Sequence, residues 1–365
     1  GNPNLSKIGK WAFFYNRLET IDLSQLSALT YLGQSSFFGV YNDPPQANLI
    51  MPSTCNLLMI DNGAFANKRF SSLDFSNCAQ LNHIGGFTFS AANATSIRFA
   101  PNSAITLIGT NAFINSPLTE LDLDSLPNLQ VIENSAFRSS MLTELDFSKT
   151  PKLTSIGSSA FEKSPIRSLN FSNNLELMFL SEKVFYNAQI TNLDLSRAPN
   201  LTHLGAEVFY NAPLRSLTLP ADIRGIRPKA FYNHQLTHLD LSNATSLMYI
   251  GAEAFYGGPS FESINIGNNC AITYINKAAF GGARFSSLDL SSCKSLNYIG
   301  ESAFENSPLQ ILQLDNPALT TIDSFAFSNG SVDNFDMTKV PNLGCIGDSG
   351  LKAVSDNSLD FSQNT

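Results

Sequence analysis

One residue type recurs through this chain at an almost constant spacing: phenylalanine, mostly 24 residues apart. Such a period is typical of a repeat protein, in which each unit must stack on its neighbours to bury its apolar face. We therefore expect one continuous coil whose function lies in an extended surface rather than in a closed catalytic pocket. The fourteen members of this series are Phe13, Phe37, Phe65, Phe89, Phe113, Phe137, Phe161, Phe185, Phe209, Phe231, Phe255, Phe280, Phe304 and Phe327.

Two further apolar columns keep step with the phenylalanines, as the unit 118–141 shows. The first, which we call the anchor column, is Leu121 in this unit, and the second column is Ile132. Apolar and polar residues alternate around both columns, which predicts short half-buried strands. The segment that ends each unit is too short for a stable helix and predicts a single helical or 3₁₀ turn. Asn or Gly often stands two residues past the Phe, where a left-handed exit is expected.

Length alone would suggest two or three domains in 365 residues, but the unbroken repeat overrides that expectation. We predict a single domain over residues 1–365, with about 14 to 15 repeats of about 24 residues. Apolar residues make up 43% of the chain, which suffices for a continuous core, and no apolar run is long enough for a membrane span. The sequence opens and stops in mid-repeat, at 5–9 and 359–361, so we expect a piece trimmed from a longer array.

The full pattern, L-x-x-L-x-L-x-x-x-x-x-L-x-x-I-G-x-x-A-F-x-x-S/N, resembles the leucine-rich repeats of the BspA-like (Treponema-type) class over nearly the whole chain. The A-F that follows I-G is its most specific part, whereas the Pro that often follows the anchor strand stands only at places such as Pro52 and Pro220. The resemblance implies a leucine-rich-repeat solenoid of the α/β repeat class, mostly β with short 3₁₀ or helical turns. It also implies a right-handed curved coil with the anchor strands in a parallel β-sheet on one face. Proteins of this class include bacterial cell-surface or secreted proteins, several of them adhesins, as well as protozoan surface proteins and injected effectors.

An acidic face is the first candidate site. Asp follows the anchor residue in nine turns, and stacked strands about 4.8 Å apart would bring these carboxylates close together. A cation or a basic partner could bind there. The alternative is a row of solvated Asp residues bonded to nearby Ser and Thr, and the absence of a glycine-punctuated calcium loop favours it. The densest acidic group is Glu120, Asp122, Asp124, Glu144 and Asp146.

Two aromatic columns form the second candidate site and crowd the region from about 179 to 298. Exposed aromatic side chains are favoured at protein and glycan contacts because they bury a large area at low entropic cost. The alternative is that these rings cover one another and shield the core. The first column, directly after the stacked Phe, is Tyr186, Tyr210, Tyr232 and Tyr256; the second, before the second apolar column, is Phe179, His203, Tyr249, Tyr274 and Tyr298.

The five cysteines leave two alternatives open. Cys55 and Cys78, like Cys270 and Cys293, are 23 residues apart, which places each pair on adjacent turns at about 6 Å, within reach of a disulfide. The odd count, with Cys345 left over, and the low density of cysteines favour free half-buried thiols. No C-x-x-C motif supports zinc or dithiol chemistry.

A short insertion at 40–46 lengthens one turn by four residues. Insertions in solenoids fall in loops and can bind partners, but an isolated short one is more often tolerated drift.

Catalysis has little support, because none of His83, His203, His234 and His238 lies in a metal or nucleophile motif. We expect no enzyme activity, no cofactor and no metal. A net charge of −8 with scattered basic residues and no phosphate-binding loop argues against nucleic acid.

Three functions are compatible with these features. The first is a protein- or glycan-binding module of a bacterial cell-surface or secreted protein, with adhesion to host or matrix components. The second is an effector that binds a protein inside a host cell. The third is a structural spacer that carries another domain.

Overall fold

The computed structural model describes residues 2–40, 47–330 and 335–352. The chain divides into two compact units, Gly1–Gln189 and Ile190–Thr365, and each is a parallel β-solenoid with almost no helix. Residues 41–46 of the expected insertion at 40–46 lie outside the described residues. The prediction of a single domain stays a prediction.

The continuous sheet of each unit runs along the second apolar column. Its two-residue strands pair in parallel and in register from turn to turn, as Ile132 does with Ile108 and Ile156. In the first unit the strands are Lys7–Ile8, Tyr31–Leu32, Met59–Ile60, His83–Ile84, Leu107–Ile108, Val131–Ile132, Ser155–Ile156 and Phe179–Leu180. In the second unit they are His203–Leu204, Gly225–Ile226, Tyr249–Ile250, Tyr274–Ile275, Tyr298–Ile299, Thr321–Ile322 and Cys345–Ile346.

The anchor strands, by contrast, pair only two by two, which corrects the expectation that they form the long sheet. Asp74 and Asp240 on this wall each accept a hydrogen bond from the backbone N–H two residues further on, which closes a turn directly after a strand of three residues. The segment around Leu121 forms no strand. The first unit has the pairs Thr20–Asp22 with Asn48–Ile50, Leu73–Phe75 with Ile97–Phe99, and Glu144–Asp146 with Ser168–Asn170. The second unit has Asn192–Asp194 with Ser216–Thr218, His238–Asp240 with Ser263–Asn265, and Ser287–Asp289 with Ile311–Gln313.

The segment around each stacked Phe is a series of hydrogen-bonded turns instead of a helix. Around Phe161 the N–H groups of Glu162 and Ser164 donate to the carbonyls three residues earlier. Ser159 and Lys163 interrupt any helix because both have a left-handed backbone, with φ of 57° and 62°. The exit residue was expected to be left-handed; the residue two before the Phe is an additional position that recurs in most turns. Among the described residues, 3₁₀ helix occurs at Phe147–Lys149 and Met337–Lys339.

The phenylalanine series forms the spine of both units. All of its members except Phe13, which is 41% exposed, are buried. Consecutive rings lie nearly parallel, with centroids 5.2 Å apart for Phe113 and Phe137 and 5.1 Å apart for Phe231 and Phe255. This spacing matches the separation of stacked strands, so each ring fixes the register of the next turn.

Each unit contains one disulfide bond, which corrects the expectation of free thiols. Cys55 bonds Cys78 and Cys270 bonds Cys293, with Cα atoms 4.8 and 4.6 Å apart. In both pairs the two cysteines lie on adjacent turns, 23 residues apart and therefore one position out of column. Cys345 is free and exposed.

Candidate binding surfaces

The tyrosine ladder consists of Tyr210, Tyr232 and Tyr256 in the second unit. Each residue directly follows a buried Phe, so its side chain turns outward on the same wall. Ring centroids lie 4.7 Å apart between Tyr210 and Tyr232 and 5.2 Å apart between Tyr232 and Tyr256. The first two rings are half-buried and Tyr256 is 38% exposed. The predicted aromatic column is therefore a row of stacked rings with one outer edge in solvent.

Neighbouring groups hold this ladder in place. The Lys229 ammonium lies 5.9 Å from the centroid of the Tyr232 ring, close enough for a cation–π contact. The side chain of Asn233 donates to the Asn211 side chain at 2.8 Å, beside the rings. At the end of the row, a Cβ on Gly281 would lie 2.7 Å from the Tyr256 ring, so the ring rests on bare backbone. Burial and then the neighbouring phenols raise the pKa of Tyr232 above its ordinary value.

Tyr186, predicted in the same column, belongs to the first unit and is half-buried.

The second predicted aromatic column is less uniform. Tyr249, Tyr274 and Tyr298 occupy matching strand positions but show no ring stacking within the part of the chain that the structure describes. Tyr298 donates its hydroxyl hydrogen bond to Asp323 at 2.7 Å, and burial together with this bond raises its pKa to about 12. His203 is half-buried beside Thr202, and burial lowers its pKa. Phe179, in the first unit, is 47% exposed.

The acidic face lies on the anchor wall of the first unit. Asp122 accepts a hydrogen bond from the Ser125 hydroxyl at 2.6 Å, and Asp124 pairs with Lys149 at 3.2 Å. Glu120 and Glu144 are exposed. Within residues 2–40, 47–330 and 335–352, no group of three or more His, Cys, Asp or Glu side chains could hold a metal ion. These residues stay a predicted docking face without further support.

The Asp column as a whole has a local role in the backbone. Most of its carboxylates accept a hydrogen bond from the backbone N–H two residues further on, which closes the turn after the anchor strand. The side-chain hydroxyl of the Ser or Thr at that position, and then its backbone N–H, lower the pKa of Asp22, Asp74, Asp240 and Asp336. Asp360 lies outside the described residues. The residues with this bond are Asp22, Asp74, Asp146, Asp194, Asp240, Asp289 and Asp336.

An aromatic surface that was not predicted occupies the start of the first unit. Trp11 and Tyr15 are 57% and 59% exposed, and Phe14 is 38% exposed. The Phe14 ring lies 4.2 Å from Tyr15 and 5.1 Å from Phe38. Phe14 and Phe38 hold the same position after the stacked Phe as the tyrosine ladder does. This surface could have been predicted from the runs W-A-F-F-Y at 11–15 and F-F at 37–38. Only one Phe of each turn belongs to the buried column, so the aromatic residues beside it must lie elsewhere.

Two histidines have contrasting environments. His234 is buried; its Nδ1 accepts from the Leu236 N–H, and its Nε2 lies 3.1 Å from the Phe255 carbonyl. Burial lowers its pKa to about 4. His238 is exposed on its anchor strand and lies 2.7 Å from the Ser263 hydroxyl. Neither arrangement resembles a catalytic centre.

The chain belongs to the BspA-type leucine-rich-repeat family. The family model for the BspA type leucine rich repeat region matches residues 2–56, 58–179, 178–292 and 248–364. No curated protein matches this chain.

Two solved structures show the same fold. One is the functional domain of InlJ from Listeria monocytogenes, which includes a cysteine ladder; it is 21% identical, with a TM-score of 0.53, over 88% of this chain. This chain spans 63% of the length of that InlJ chain. The other is a leucine-rich repeat protein from Bacteroides ovatus, 18% identical, with a TM-score of 0.55, over 80% of this chain and 79% of that one. At these identities the likeness concerns the fold.

No helix among the described residues is long and apolar enough to cross a membrane.

Proposed function

We propose that this chain is the non-catalytic binding module of a cell-surface or secreted protein, and that it binds a host or matrix protein through the tyrosine ladder. The observation that carries the proposal is the stack of Tyr210, Tyr232 and Tyr256, which is ordered by its own packing and still open to solvent along one edge. Tyrosine is enriched among the residues that dominate binding energy, because it offers a large amphipathic surface with few rotatable bonds.

The geometry of the ladder favours a protein partner over a glycan. The three rings form a closed row without a gap between them, which suits the broad surface of a protein better than the edge of a sugar ring. The adjacent Asn211 and Asn233 amides and the Lys229 ammonium add polar groups at the rim. An apolar centre with a polar rim is the usual anatomy of a protein interface.

Two disulfide bonds support an extracellular location. Disulfides persist in oxidising compartments and are rare in the cytosol. Cys55–Cys78 and Cys270–Cys293 therefore favour a surface or secreted protein over an effector that works inside a host cell. A structural spacer would need no exposed aromatic row, so the behaviour of ladder variants separates that alternative from the proposal.

The test is a binding screen of the full chain against purified extracellular-matrix proteins, followed by the triple variant Tyr210→Ser, Tyr232→Ser and Tyr256→Ser. We expect at least one partner, and a loss of affinity of about 30-fold or more in the triple variant, since one hot-spot side chain contributes about 2 kcal/mol or more. The control is Tyr274→Ser, an exposed Tyr outside the ladder, which should bind as the parent does. Unchanged binding by the triple variant would show that the ladder is not the contact surface.

A further inference from the structure

A groove of about 350 Å³ opens on the turn wall of the first unit. Phe38 and Phe87 stand on the turns before and after the one that carries Gly63 and Ala66, and all four residues line the groove. At about 350 Å³ it falls within the range of about 300 to 1,000 Å³ that is usual for small-molecule sites. It does not involve the tyrosine ladder, which belongs to the second unit.

The groove exists because the middle turn lacks large outward side chains. At Gly63, φ is +64°, and a Cβ would meet only the Ser35 hydroxyl at 3.2 Å and the Ala66 methyl at 3.9 Å, so a longer side chain there would extend into the groove. Ala66 occupies the column position that is aromatic one turn earlier, at Phe38. The missing side chains leave a gap one turn wide between two aromatic rings.

The two aromatic residues of the groove, Phe87 and Phe38, are held in different ways. Phe87 has a left-handed backbone, with φ of 57°, and is 50% exposed. A bulky residue is disfavoured in that conformation, and an exposed ring gains little from packing. Trp11 and Phe325 hold the same backbone position and are also exposed, but neither lines this groove. Phe38, which also lines the groove, is fixed by ring contacts with Phe14 at 5.1 Å and Tyr15 at 5.7 Å.

The polar lining of the groove is neutral and has unused hydrogen-bonding capacity. Every side chain that lines it is uncharged. The Asn62 Oδ1 accepts from the Gly86 N–H at 2.7 Å, while its Nδ2 makes no hydrogen bond to a described residue. The side-chain amides of Gln34 and Asn67, which also line the groove, likewise have no partner among the described residues. Amides both donate and accept, which matches hydroxyl groups that do the same.

We propose that this groove binds a neutral saccharide, with the apolar C–H face of a pyranose ring against Phe38 or Phe87 and its hydroxyl groups bonded to the amides of Gln34, Asn62 and Asn67. The absence of charged lining disfavours phosphorylated, sulfated or acidic sugars, whose desolvation would find no compensating charge. Two aromatic rings and three side-chain amides in one lining also fit a sugar better than an aliphatic ligand, which would leave those amides without partners.

The experiment uses the full chain with its disulfides intact and ligand-observed saturation-transfer NMR. The probes are neutral oligosaccharides of glucose, galactose and mannose, with a sialylated oligosaccharide and a proline-rich peptide of similar length as comparisons. We expect saturation transfer to at least one neutral oligosaccharide, centred on ring C–H protons, and weaker or no transfer to the two comparison probes.

Two variants test the site in different ways. Gly63→Asn fills the groove with a residue that tolerates the left-handed backbone, and Asn already stands at the matching position in Asn111. Phe87→Asn removes one wall and suits the same backbone. We expect each variant to weaken saccharide binding at least 10-fold. The matched control is Ser135→Asn, which adds the same side chain at the same backbone position outside the groove, with φ of 54°.

The outcomes are distinct from those of the tyrosine-ladder screen because no ladder residue is changed. Failure of all neutral oligosaccharides to bind would overturn the saccharide proposal, as would preferential binding of the sialylated probe or the peptide. Binding that survives both Gly63→Asn and Phe87→Asn would place the saccharide elsewhere and also overturn it. Thermal unfolding of each variant, measured alongside, should show that the fold is retained.

Discussion

The tyrosine ladder and the Phe38–Phe87 groove differ in the residues that follow the stacked Phe in consecutive turns. In the second unit, Tyr occupies the position after the stacked Phe in three consecutive turns, and the rings close on one another at 4.7 and 5.2 Å. In the first unit, Phe38 is followed by Ala66, and the gap is bounded by Phe87 from a different position. The core spacing is the same beneath both. Whether a turn contributes or omits an outward side chain thus decides between a flat surface and a cleft.

Both regions rest on the same phenylalanine spine, so truncating a spine residue should destabilise either unit strongly. Phe65→Ala, beneath the groove, and Phe231→Ala, beneath the ladder, should each lower the free energy of unfolding by about 3 to 5 kcal/mol, because each removes a buried ring stacked on both sides. Urea denaturation followed by circular dichroism measures this.

The control for the core variants is Phe325→Ala, which truncates a 43% exposed ring and should cost much less. A near-neutral result at Phe65 or Phe231 would show that the phenylalanine spine does not hold its unit together.

Acid should separate the two regions. His234 packs against the rings of Phe255 and Phe261, with its Nε2 at the carbonyl of Phe255, whereas no equivalent position of the first unit holds a histidine. The pKa of His234 is lowered from 6.5 to about 4, so the unfolded chain binds the proton first as pH falls. The stability that neutral His234 contributes is complete above pH 6.5 and is lost between about 6.5 and 4, amounting to about 3 kcal/mol.

The measurement compares the pH dependence of unfolding in the parent, in His234→Ser and in His238→Ser. We expect the first variant to lose this pH dependence and the second, at an exposed position, to keep it. Equal slopes in the parent and His234→Ser would contradict a buried neutral imidazole.

Single substitutions on the two surfaces should change the stability less, and by different amounts. Tyr232→Ala removes two ring stacks and should cost about 1 to 3 kcal/mol, at about 0.5 to 1.5 kcal/mol for each aromatic pair. Phe87→Asn should leave stability within about 0.5 kcal/mol or raise it, because an exposed ring on a left-handed backbone gives way to a residue that tolerates it. Differential scanning calorimetry on both variants tests this.

A cost at Phe87 as large as that at Tyr232 would mean that the groove wall is itself a packing element. In that case, retention of Phe87 would need no ligand to explain it.

Much of the fold was predictable, because its determinants repeat. The stacked Phe series, the inward second column and the left-handed exit residues such as Asn115 and Asn233 follow from spacing and from the conformational limits of each residue type. The second left-handed position, two residues before each Phe, was missed because Ser, Lys, Glu and Phe carry no signal for it. Ser159 and Glu207 adopt the left-handed conformation because the hydrogen-bonded turns around each stacked Phe require it.

The candidate surfaces were only partly predictable. The tyrosine column was visible because four Tyr residues follow four Phe residues, but its stacking distance is a property of the packed turns. The groove was invisible, since it depends on a missing side chain at Gly63 between rings that are 49 residues apart in sequence, Phe38 and Phe87. The disulfides show the same limit, because the spacing of Cys55 and Cys78 allowed a bond without requiring one.

By itself, the sequence determined that this protein is a coil of stacked turns in the BspA-type leucine-rich-repeat family, because a fixed period of buried rings permits few other structures. The tertiary structure alone decided that the second column carries the continuous sheet and that anchor strands pair only two by two. It also decided which outward residues meet across turns. The physical reason is that a period specifies which residues are stacked. Contacts between neighbouring turns depend instead on the hydrogen bonds, the side-chain volumes and the left-handed backbone positions of each turn.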